Sequence, residues 1–333
     1  METQKNNEQP QLLPELRKPE QFALQPYTMG LLSLVGALML LFFVVGSDLR
    51  SAPAKTTPLV ESTGSVDPFE QITLNAQATY VYDAAENSVY FAKNEEVQMP
   101  LASLTKIMTA LVASEFLSDN ETITITADAI AKNGDTGLKR GERWRFKDLL
   151  DYTLLVSSND GASAVAAAAD ALSRNPAEGT SPGTSFVLRM NERASALGLT
   201  QTYFINESGL DTNKSVGGGY GSARDVGLLL AHVISNYPNL LEATTHDSLQ
   251  FVSENQFTYK ATNTNLAAGK IPGLIASKTG YTELAGGNLT VAFDAGINHP
   301  VIIVVLGSSY DGRFSDIEKL VAASIKKITS TAR

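Results

Sequence analysis

Residues 78–92 read ATYVYDAAENSVYFA, in which two runs of β-branched and aromatic residues flank a short polar break. Such runs are typical of strands, so Ala78–Tyr82 and Ser88–Ala92 are predicted to pair as a hairpin around Glu86 and Asn87. This hairpin opens the part of the chain that is expected to fold.

The same kind of pattern returns near the other end of the chain. Strands are predicted at Leu289–Asp294 and Val301–Leu306, joined across Gly296–Pro300. The apolar spacing of Asp316–Ile328 predicts a helix after them. The chain between the two ends reads as mostly helical, so the pattern predicts one α/β sheet assembled from both ends, with an inserted all-α lobe.

The composition excludes several classes of function. The 333 residues carry 26 Lys and Arg against 35 Asp and Glu, a formal charge of −9, and an acidic chain is a poor partner for nucleic acid. The sequence has no cysteine, which excludes thiolate nucleophiles, disulfides and cysteine-ligated metals. The three histidines, His232, His246 and His299, fit no metal-binding spacing. Neither a metal nor a cofactor is therefore expected.

An uncharged stretch of 18 residues, Met29–Gly46, precedes the predicted folded part. It is long enough to cross the roughly 30 Å hydrocarbon core of a bilayer as a helix. A cleaved secretory signal is the alternative, because Ala52-Pro53-Ala54 has the small side chains of a cleavage site. A signal begins with a short basic segment, whereas this stretch follows 28 residues that contain four glutamates. An uncleaved anchor is therefore predicted.

Residues 48–68 are rich in Ser, Thr, Pro and Ala and show no apolar period, which predicts a tether. The predicted organisation is a cytoplasmic segment 1–28, a transmembrane anchor 29–47, a flexible tether 48–68 and a folded domain 69–333. Basic residues stand on both sides of the anchor, so charge does not fix its orientation.

The stretch Pro100–Val112 is apolar nearly all round, as a buried helix is. Ser103 and Lys106 share one face near its N-terminus. A serine hydroxyl attacks a carbonyl only when a base takes its proton, and a lysine kept neutral by burial is the base available nearby in the sequence. The spacing alone is weak evidence, because Ser324 and Lys327 repeat it on what reads as a solvated helix end.

Two further motifs strengthen the case for a reactive serine. Ser157-Ser158-Asn159 follows an apolar run and precedes an Ala-rich stretch, which places it at a corner between two helices. Its pattern is repeated by Ser253-Glu254-Asn255, so it too is weak alone. Lys278-Thr279-Gly280 occurs once, and it is not a phosphate-binding loop because Ser277 stands where a glycine is needed.

In this order the three motifs resemble those of the serine D-alanyl-D-alanine carboxypeptidases, the low-molecular-mass penicillin-binding proteins. The stretches ASLTKIMTALVA, LLVSSNDGAS, MNERASALGLTQTYFINESGLD, GSARDVGLLL and SKTGYTELAGG resemble segments of that family, in the family's order. The likeness covers about 260 residues. It implies a β-lactamase-like or transpeptidase-like α/β fold, a largely antiparallel sheet flanked by helices, here preceded by one transmembrane helix.

The resemblance also implies the catalytic roles. Ser103 would be the acylated nucleophile, Lys106 the base that activates it, and Ser157 the relay that passes a proton toward the leaving amine. The backbone N–H groups of Ser103 and Tyr281 would form the oxyanion hole.

Substrate-binding residues follow from the same resemblance. Asn159 would orient Lys106 and a substrate amide, while Lys278 and Thr279 would hold the terminal carboxylate of the substrate. Gly280 suits a close approach of the peptide to an edge strand. Arg313 stands where some relatives have a basic residue near the carboxylate site; the alternative is a plain charge at the start of a helix.

The activity that the resemblance implies is removal of the terminal D-Ala from peptidoglycan stem peptides during cell-wall remodelling, with β-lactams as covalent inhibitors. Relatives often attach to the membrane by a C-terminal amphipathic helix. Because this chain ends shortly after its last predicted helix, we expect the N-terminal anchor to attach the enzyme with its domain on the extracytoplasmic side.

Other functions stay open at this point. A D,D-endopeptidase would use the same machinery. A class A β-lactamase would also need a carboxylate that activates the deacylating water, for which Glu207–Asp211 is the nearest string. A β-lactam-sensing module would be acylated but would barely turn over. Two other features are read as structural: Trp144 as a packing residue and Gly217–Gly221 as a turn.

Overall fold

The computed structural model describes residues 67–131, 134, 136–173 and 184–331. The chain divides into two units, Met1–Thr63 and Gly64–Arg333. The predicted cytoplasmic segment 1–28 and anchor 29–47 lie outside the described residues, as does nearly all of the tether 48–68. Within the ranges that the structure describes, no helix is both long enough and apolar enough to cross a membrane.

The described elements come in the following chain order. The strands are β1 (Ala78–Asp83), β2 (Ser88–Lys93), β3 (Met99–Pro100), β4 (Thr122–Thr124), β5 (Arg143–Arg145), β6 (Tyr203–Phe204), β7 (Gly219–Gly221), β8 (Ser248–Val252), β9 (Thr258–Thr262), β10 (Leu274–Thr282), β11 (Gly286–Asp294) and β12 (Pro300–Ser308). The helices are α1 (Thr105–Ser114), α2 (Phe146–Val156), α3 (Asn159–Ser173), α4 (Thr184–Ala196), α5 (Ala223–Asn236) and α6 (Gly312–Thr331).

A five-stranded antiparallel sheet in the order β10-β11-β12-β1-β2 organises the domain. Its strands come from both ends of the described chain, which confirms the predicted hairpin and the assembly of the sheet from both ends. Strand β10 lies at one edge, so the backbone of Lys278–Gly280 has one side free of strand pairing.

Strand side chains alternate between the two faces of this sheet, and both faces are covered. Tyr80, Ile302 and Val304 join a core that includes residues of α1 and α5. Their neighbours Val81, Ile303 and Val305 join a second core with α6. Burial on both faces explains why β12 is a nearly unbroken apolar run.

The region inserted between β2 and β10 contains helices α1 to α5, but it is not all-α as predicted. It also holds a three-stranded sheet, β3-β7-β6, and the two-stranded pairs β4-β5 and β8-β9. Most of these strands have two or three residues, too few to show a period in the sequence. The prediction of a turn at Gly217–Gly221 is wrong for its last three residues, since Gly219–Gly221 is strand β7.

The predicted helix Pro100–Val112 is also corrected. Pro100 belongs to strand β3, Ala102–Leu104 form a 3₁₀ turn, and α1 begins at Thr105. The backbone of Ala102 has a φ of +47°, which an α-helix does not allow. Ser103 therefore lies on a tight turn before the helix, and Lys106 lies in the helix's first turn.

Asp316 ties the two ends of the domain together. Its buried carboxylate accepts hydrogen bonds from the backbone N–H groups of Asn75 (3.1 Å) and Ala76 (2.9 Å) and from the Ser308 hydroxyl (2.8 Å). The start of α6, the end of β12 and the segment that leads into β1 thus meet at one side chain.

Replacing Asp316 with alanine should destabilise the domain by about 3 kcal/mol, because buried donors lose their acceptor. Thermal or urea unfolding of the purified protein measures the change. Glu318→Ala is the control on the same helix. It removes an exposed ion pair with Lys270 (2.7 Å) and should cost less than about 1 kcal/mol. Equal losses in the two variants would contradict this account.

Candidate active site

The turn that carries Ser103 is packed closely between two neighbouring segments. A Cβ added to Gly209 would lie 1.8 Å from the Ala102 carbonyl oxygen, and one added to Gly280 would lie 2.8 Å from that of Leu101. Only glycine allows the loop around residue 209 and strand β10 to approach the turn so closely. The loop at Gly209 and strand β10 at Gly280 therefore both lie against the turn that carries Ser103.

Asn288 on β11 fixes this turn against the sheet. Its amide donates to the carbonyls of Pro100 (3.0 Å) and Leu101 (3.1 Å), and its side-chain oxygen accepts from the Gly307 N–H (2.9 Å). Asn288 pairs with Gly280 in the β10–β11 register. The β10–β11 pair therefore holds both the turn that carries Ser103 and the edge strand of the site.

Lys106 is the centre of the polar network. Its side chain is only 1% exposed, and its Nζ donates to Ser103 Oγ (2.9 Å), Asn159 Oδ1 (2.8 Å) and the Ser208 carbonyl (2.8 Å). Burial lowers the pKa of Lys106 to about 7, against an opposing effect of the Glu207 charge. Near neutral pH, a large fraction of this amine is therefore unprotonated.

The three partners determine where the lone pair of a neutral Lys106 amine points. Carbonyl oxygens, such as those of Asn159 and Ser208, only accept hydrogen bonds, so they keep the two remaining N–H groups. The Ser103 hydroxyl is the one partner that can also donate. Loss of the lysine proton thus turns the Ser103 hydrogen toward Nζ, which is the arrangement that general-base activation needs.

Ser157 and Lys278 form a second pair beside the first. Ser157 follows α2 in a left-handed conformation with a φ of +61°. Lys278 Nζ donates to Ser157 Oγ (2.9 Å) and to the Thr279 carbonyl (3.0 Å). Burial, followed by the charges of Lys106 and Arg313, holds the Lys278 pKa well below its usual value. Two serine hydroxyls, those of Ser103 and Ser157, are thus each bonded to a buried lysine.

The outer part of β10 combines a hydroxyl pair with an aromatic rim. Thr279 Oγ1 lies 2.6 Å from Thr264 Oγ1. The Tyr281 ring is 48% exposed and makes an edge contact with Tyr310 at 5.0 Å between ring centroids. This edge of the site is therefore lined by the Thr279 hydroxyl, the backbone of β10 and the rings of Tyr281 and Tyr310.

Arg313 is not the plain charge at a helix start that was one of the two expectations. It is 3% exposed, its Nη1 donates to the Gly280 carbonyl (2.8 Å), and its guanidinium lies 4.5 Å from the Tyr310 ring centroid. It binds β10 at the Gly280 carbonyl and adds a buried guanidinium whose charge acts on Lys278.

The structure brings the three sequence motifs together and separates them from their repeats. Ser103, Lys106 and Asn159 form one hydrogen-bonded group, Ser157 and Lys278 form a second, and the charge of Lys106 acts on Lys278. Ser324 is buried on α6, where its hydroxyl donates to the Leu320 carbonyl (2.8 Å), so its reading as part of a solvated helix end is wrong. Asn255, of the second repeat, accepts from the Arg143 N–H.

Three participants were not found from the sequence: the Ser208 carbonyl, Glu207 as a charge near Lys106, and Asn288. A backbone carbonyl leaves no side-chain signal, and Asn288 lies in an otherwise ordinary strand. Trp144 is fully buried and donates to Glu142, as expected of a packing residue. Among the described residues, no three His, Asp or Glu side chains form a cluster that could hold a metal ion.

A family model described as D-alanyl-D-alanine carboxypeptidase, Peptidase_S11, matches residues 65–310. The D-alanyl-D-alanine carboxypeptidase DacB2 of Mycobacterium tuberculosis is 32% identical over 238 residues, which cover 71% of this chain and 77% of that protein. DacA of Haemophilus influenzae is 29% identical over 262 residues, 74% of this chain and 61% of that protein. The chain thus spans less than two thirds of the second relative.

Solved structures are similar over the same region. The crystal structure of a D-alanyl-D-alanine carboxypeptidase from M. tuberculosis H37Rv matches with a TM-score of 0.67 at 26% identity, covering 78% of this chain and 96% of that one. Penicillin-binding protein D2 from Listeria monocytogenes, in its ampicillin-bound form, matches with a TM-score of 0.63 at 30% identity, covering 76% and 98%.

The rate of Ser103 acylation by a serine-directed reagent should rise with pH and level off, with a midpoint near 7, because the Lys106 amine accepts a proton only above its pKa of about 7. Below the midpoint the rate should fall about tenfold per pH unit. Stopped-flow labelling between pH 5 and 9 measures it. Lys106→Arg should abolish labelling, since guanidinium stays protonated, and normal labelling of that variant would rule out the lysine base.

Proposed function

The chain belongs to the Peptidase_S11 family of D-alanyl-D-alanine carboxypeptidases, and we propose that it removes the terminal D-Ala of peptidoglycan stem peptides through an acyl-enzyme. The observation that carries this proposal is the buried Lys106 amine 2.9 Å from Ser103 Oγ. A serine with a neutral lysine as base suits acyl transfer at neutral pH.

Acylation begins when Lys106 takes the proton of Ser103 and Oγ attacks the carbonyl of the penultimate D-Ala. The new C–O bond places negative charge on the carbonyl oxygen. The backbone N–H groups of Ser103 and Tyr281 stabilise that oxyanion. Collapse of the intermediate breaks the C–N bond, and the departing D-Ala amine receives a proton through the Ser157 hydroxyl.

Recognition of the substrate rests on its free carboxylate. Lys278 and Thr279 bind this carboxylate at the edge of β10, and Asn159 orients both Lys106 and a substrate amide. The bare backbone of Gly280 lets the peptide lie against the strand. Because one buried cation faces the carboxylate, a peptide that continues past the terminal D-Ala loses this contact and is a poorer substrate.

Hydrolysis of the acyl-enzyme completes the cycle. Water attacks the acyl carbonyl, the ester bond to Ser103 breaks, and the serine regains its hydrogen as the peptide carboxylate leaves. β-Lactams enter the same route as covalent inhibitors, because a strained lactam presents a carbonyl and a carboxylate in a similar arrangement. The ampicillin-bound form of the Listeria relative supports this part of the proposal.

The proposed location is the cell membrane, with a single pass at residues 29–47 and the catalytic domain on the extracytoplasmic side. Support comes from the uncharged stretch Met29–Gly46, which has the length of a membrane-spanning helix. A polar tether at 48–68 would let the domain reach peptidoglycan at some distance from the membrane.

Purified pentapeptide muropeptides incubated with the protein should lose one D-Ala, as measured by mass spectrometry. Ser103→Ala should lose this activity and also its labelling by fluorescent penicillin, because no nucleophile is left to form the acyl-enzyme. Ser324→Ala is the matched control, and it should retain both. Cleavage of cross-linked dimers in preference to pentapeptides would instead identify an endopeptidase, and penicillin label on Ser324 would overturn the assignment of the nucleophile.

Protease added outside intact spheroplasts should cut in the tether at 48–68 and release a soluble penicillin-binding fragment. The uncut protein should stay in the membrane fraction after carbonate washing, because a spanning helix is not removed by disrupting surface contacts. A mature N-terminus at Lys55, read by peptide mass, would show instead that the apolar stretch is a cleaved signal.

A further inference from the structure

The segment Glu207–Ser208 is attached to both helices that supply the Lys106 network. The hydroxyl of Thr109, on α1, donates to the Glu207 backbone carbonyl. The hydroxyl of Ser163, on α3, donates to the Glu207 carboxylate. Between these two attachments, the next carbonyl along the chain, that of Ser208, accepts from Lys106 Nζ at 2.8 Å.

The spacing of residues along α1 and α3 explains how each helix binds both Lys106 and Glu207. Lys106 and Thr109 are three residues apart on α1, and Asn159 and Ser163 are four residues apart on α3. Residues at these spacings lie on the same face of a helix. Each helix therefore offers one partner to the lysine amine and, one turn further along, one partner to Glu207.

Lys106 has ionisable neighbours of both kinds. Lys106 and Arg313, on α6, each lower the pKa of the buried Lys278 on β10 through their charge. Glu207, on the loop that precedes β7, is the acidic side chain that opposes the effect of burial on Lys106. Asn159 and Ser208 are uncharged. The half-buried Glu207 carboxylate is thus the charge that raises the pKa of the base.

We propose that Glu207 is a positioning residue for acylation, which holds the Ser208 carbonyl on the Lys106 amine and faces that amine with a fixed negative charge. The inference rests on the proposed role of Lys106 as the base. It assigns Glu207 an effect on proton transfer, and not the activation of the deacylating water that a class A β-lactamase would require.

The charge of Glu207 has a defined consequence for the base. A carboxylate favours the protonated form of a nearby amine, so it keeps the Lys106 pKa from falling further under burial. A base whose pKa lies near the working pH combines a useful neutral fraction with enough affinity for the proton. Without Glu207 the amine would be neutral at lower pH but would take the Ser103 proton less readily.

The test measures the rate of acylation by fluorescent penicillin against pH, using the full-length protein. Wild-type protein should show the midpoint near 7 that follows from the Lys106 pKa of about 7. In Glu207→Gln the midpoint should fall by roughly one pH unit, and the rate at high pH should fall as well. Glu207→Asp, which keeps the charge, should restore the midpoint toward that of the wild type.

Glu115→Gln is the matched control, because it removes one carboxylate that pairs with Arg193 (3.0 Å) away from the site; its midpoint should equal that of the wild type. Ser163→Ala keeps the charge but releases the carboxylate, so its midpoint should move in the same direction by less. If Glu207→Gln does not fold, the Ser163→Ala profile decides.

The outcomes separate this inference from the proposed function. A wild-type protein that penicillin does not label would contradict the proposed function itself. A labelled wild-type protein and an unmoved midpoint in Glu207→Gln, or in Ser163→Ala where that variant decides, would overturn the role of Glu207 alone. Normal acylation of Glu207→Gln with a stalled release of product would overturn it too, since that result identifies a deacylation residue.

Discussion

The burial of the Lys106 amine is the constraint on which the site depends. An ammonium group taken out of water is costly unless its protons have partners. Here three acceptors come from the turn that carries Ser103, the start of α3 and the loop at Ser208. Each acceptor belongs to a separate segment, so the amine is properly bonded only when all three segments are in place. The same burial that requires these partners also lowers the pKa of the amine to about 7.

The electrostatics of the site are opposite to those of the chain as a whole. A protein of formal charge −9 has three basic side chains at its site, Lys106, Lys278 and Arg313, each nearly removed from solvent. A buried cation keeps much of its attraction for a carboxylate because water does not screen it. A positive charge buried at the site is therefore screened less than the charges of the acidic exterior.

Sequence patterns predict correctly those elements that a single segment of the chain determines. The hairpin at residues 78–92, the two strands near the C-terminus and the helix corner at Ser157–Asn159 are local patterns, and all are present in the structure. Sequence patterns fail where geometry depends on distant backbone. Pro100 joins a strand because β7 lies beside it. Asn288, opposite Gly280 in the β10–β11 register, binds the turn before Ser103, and Arg313 binds the carbonyl of Gly280, 33 residues away in the sequence.

Non-glycine residues with a positive φ occur both in turns away from the site and at or beside the two site serines. Six non-glycine residues in the described ranges have a positive φ, and four of them are Asn or Gln; asparagine in particular tolerates this region. The other two are Ala102, directly before Ser103, and Ser157 itself. Each such residue costs roughly 1 kcal/mol or more. Glycine at residue 157 would remove that cost together with the hydroxyl that Lys278 binds. The strained backbone therefore lies at the two places where a serine hydroxyl is bonded to a buried lysine.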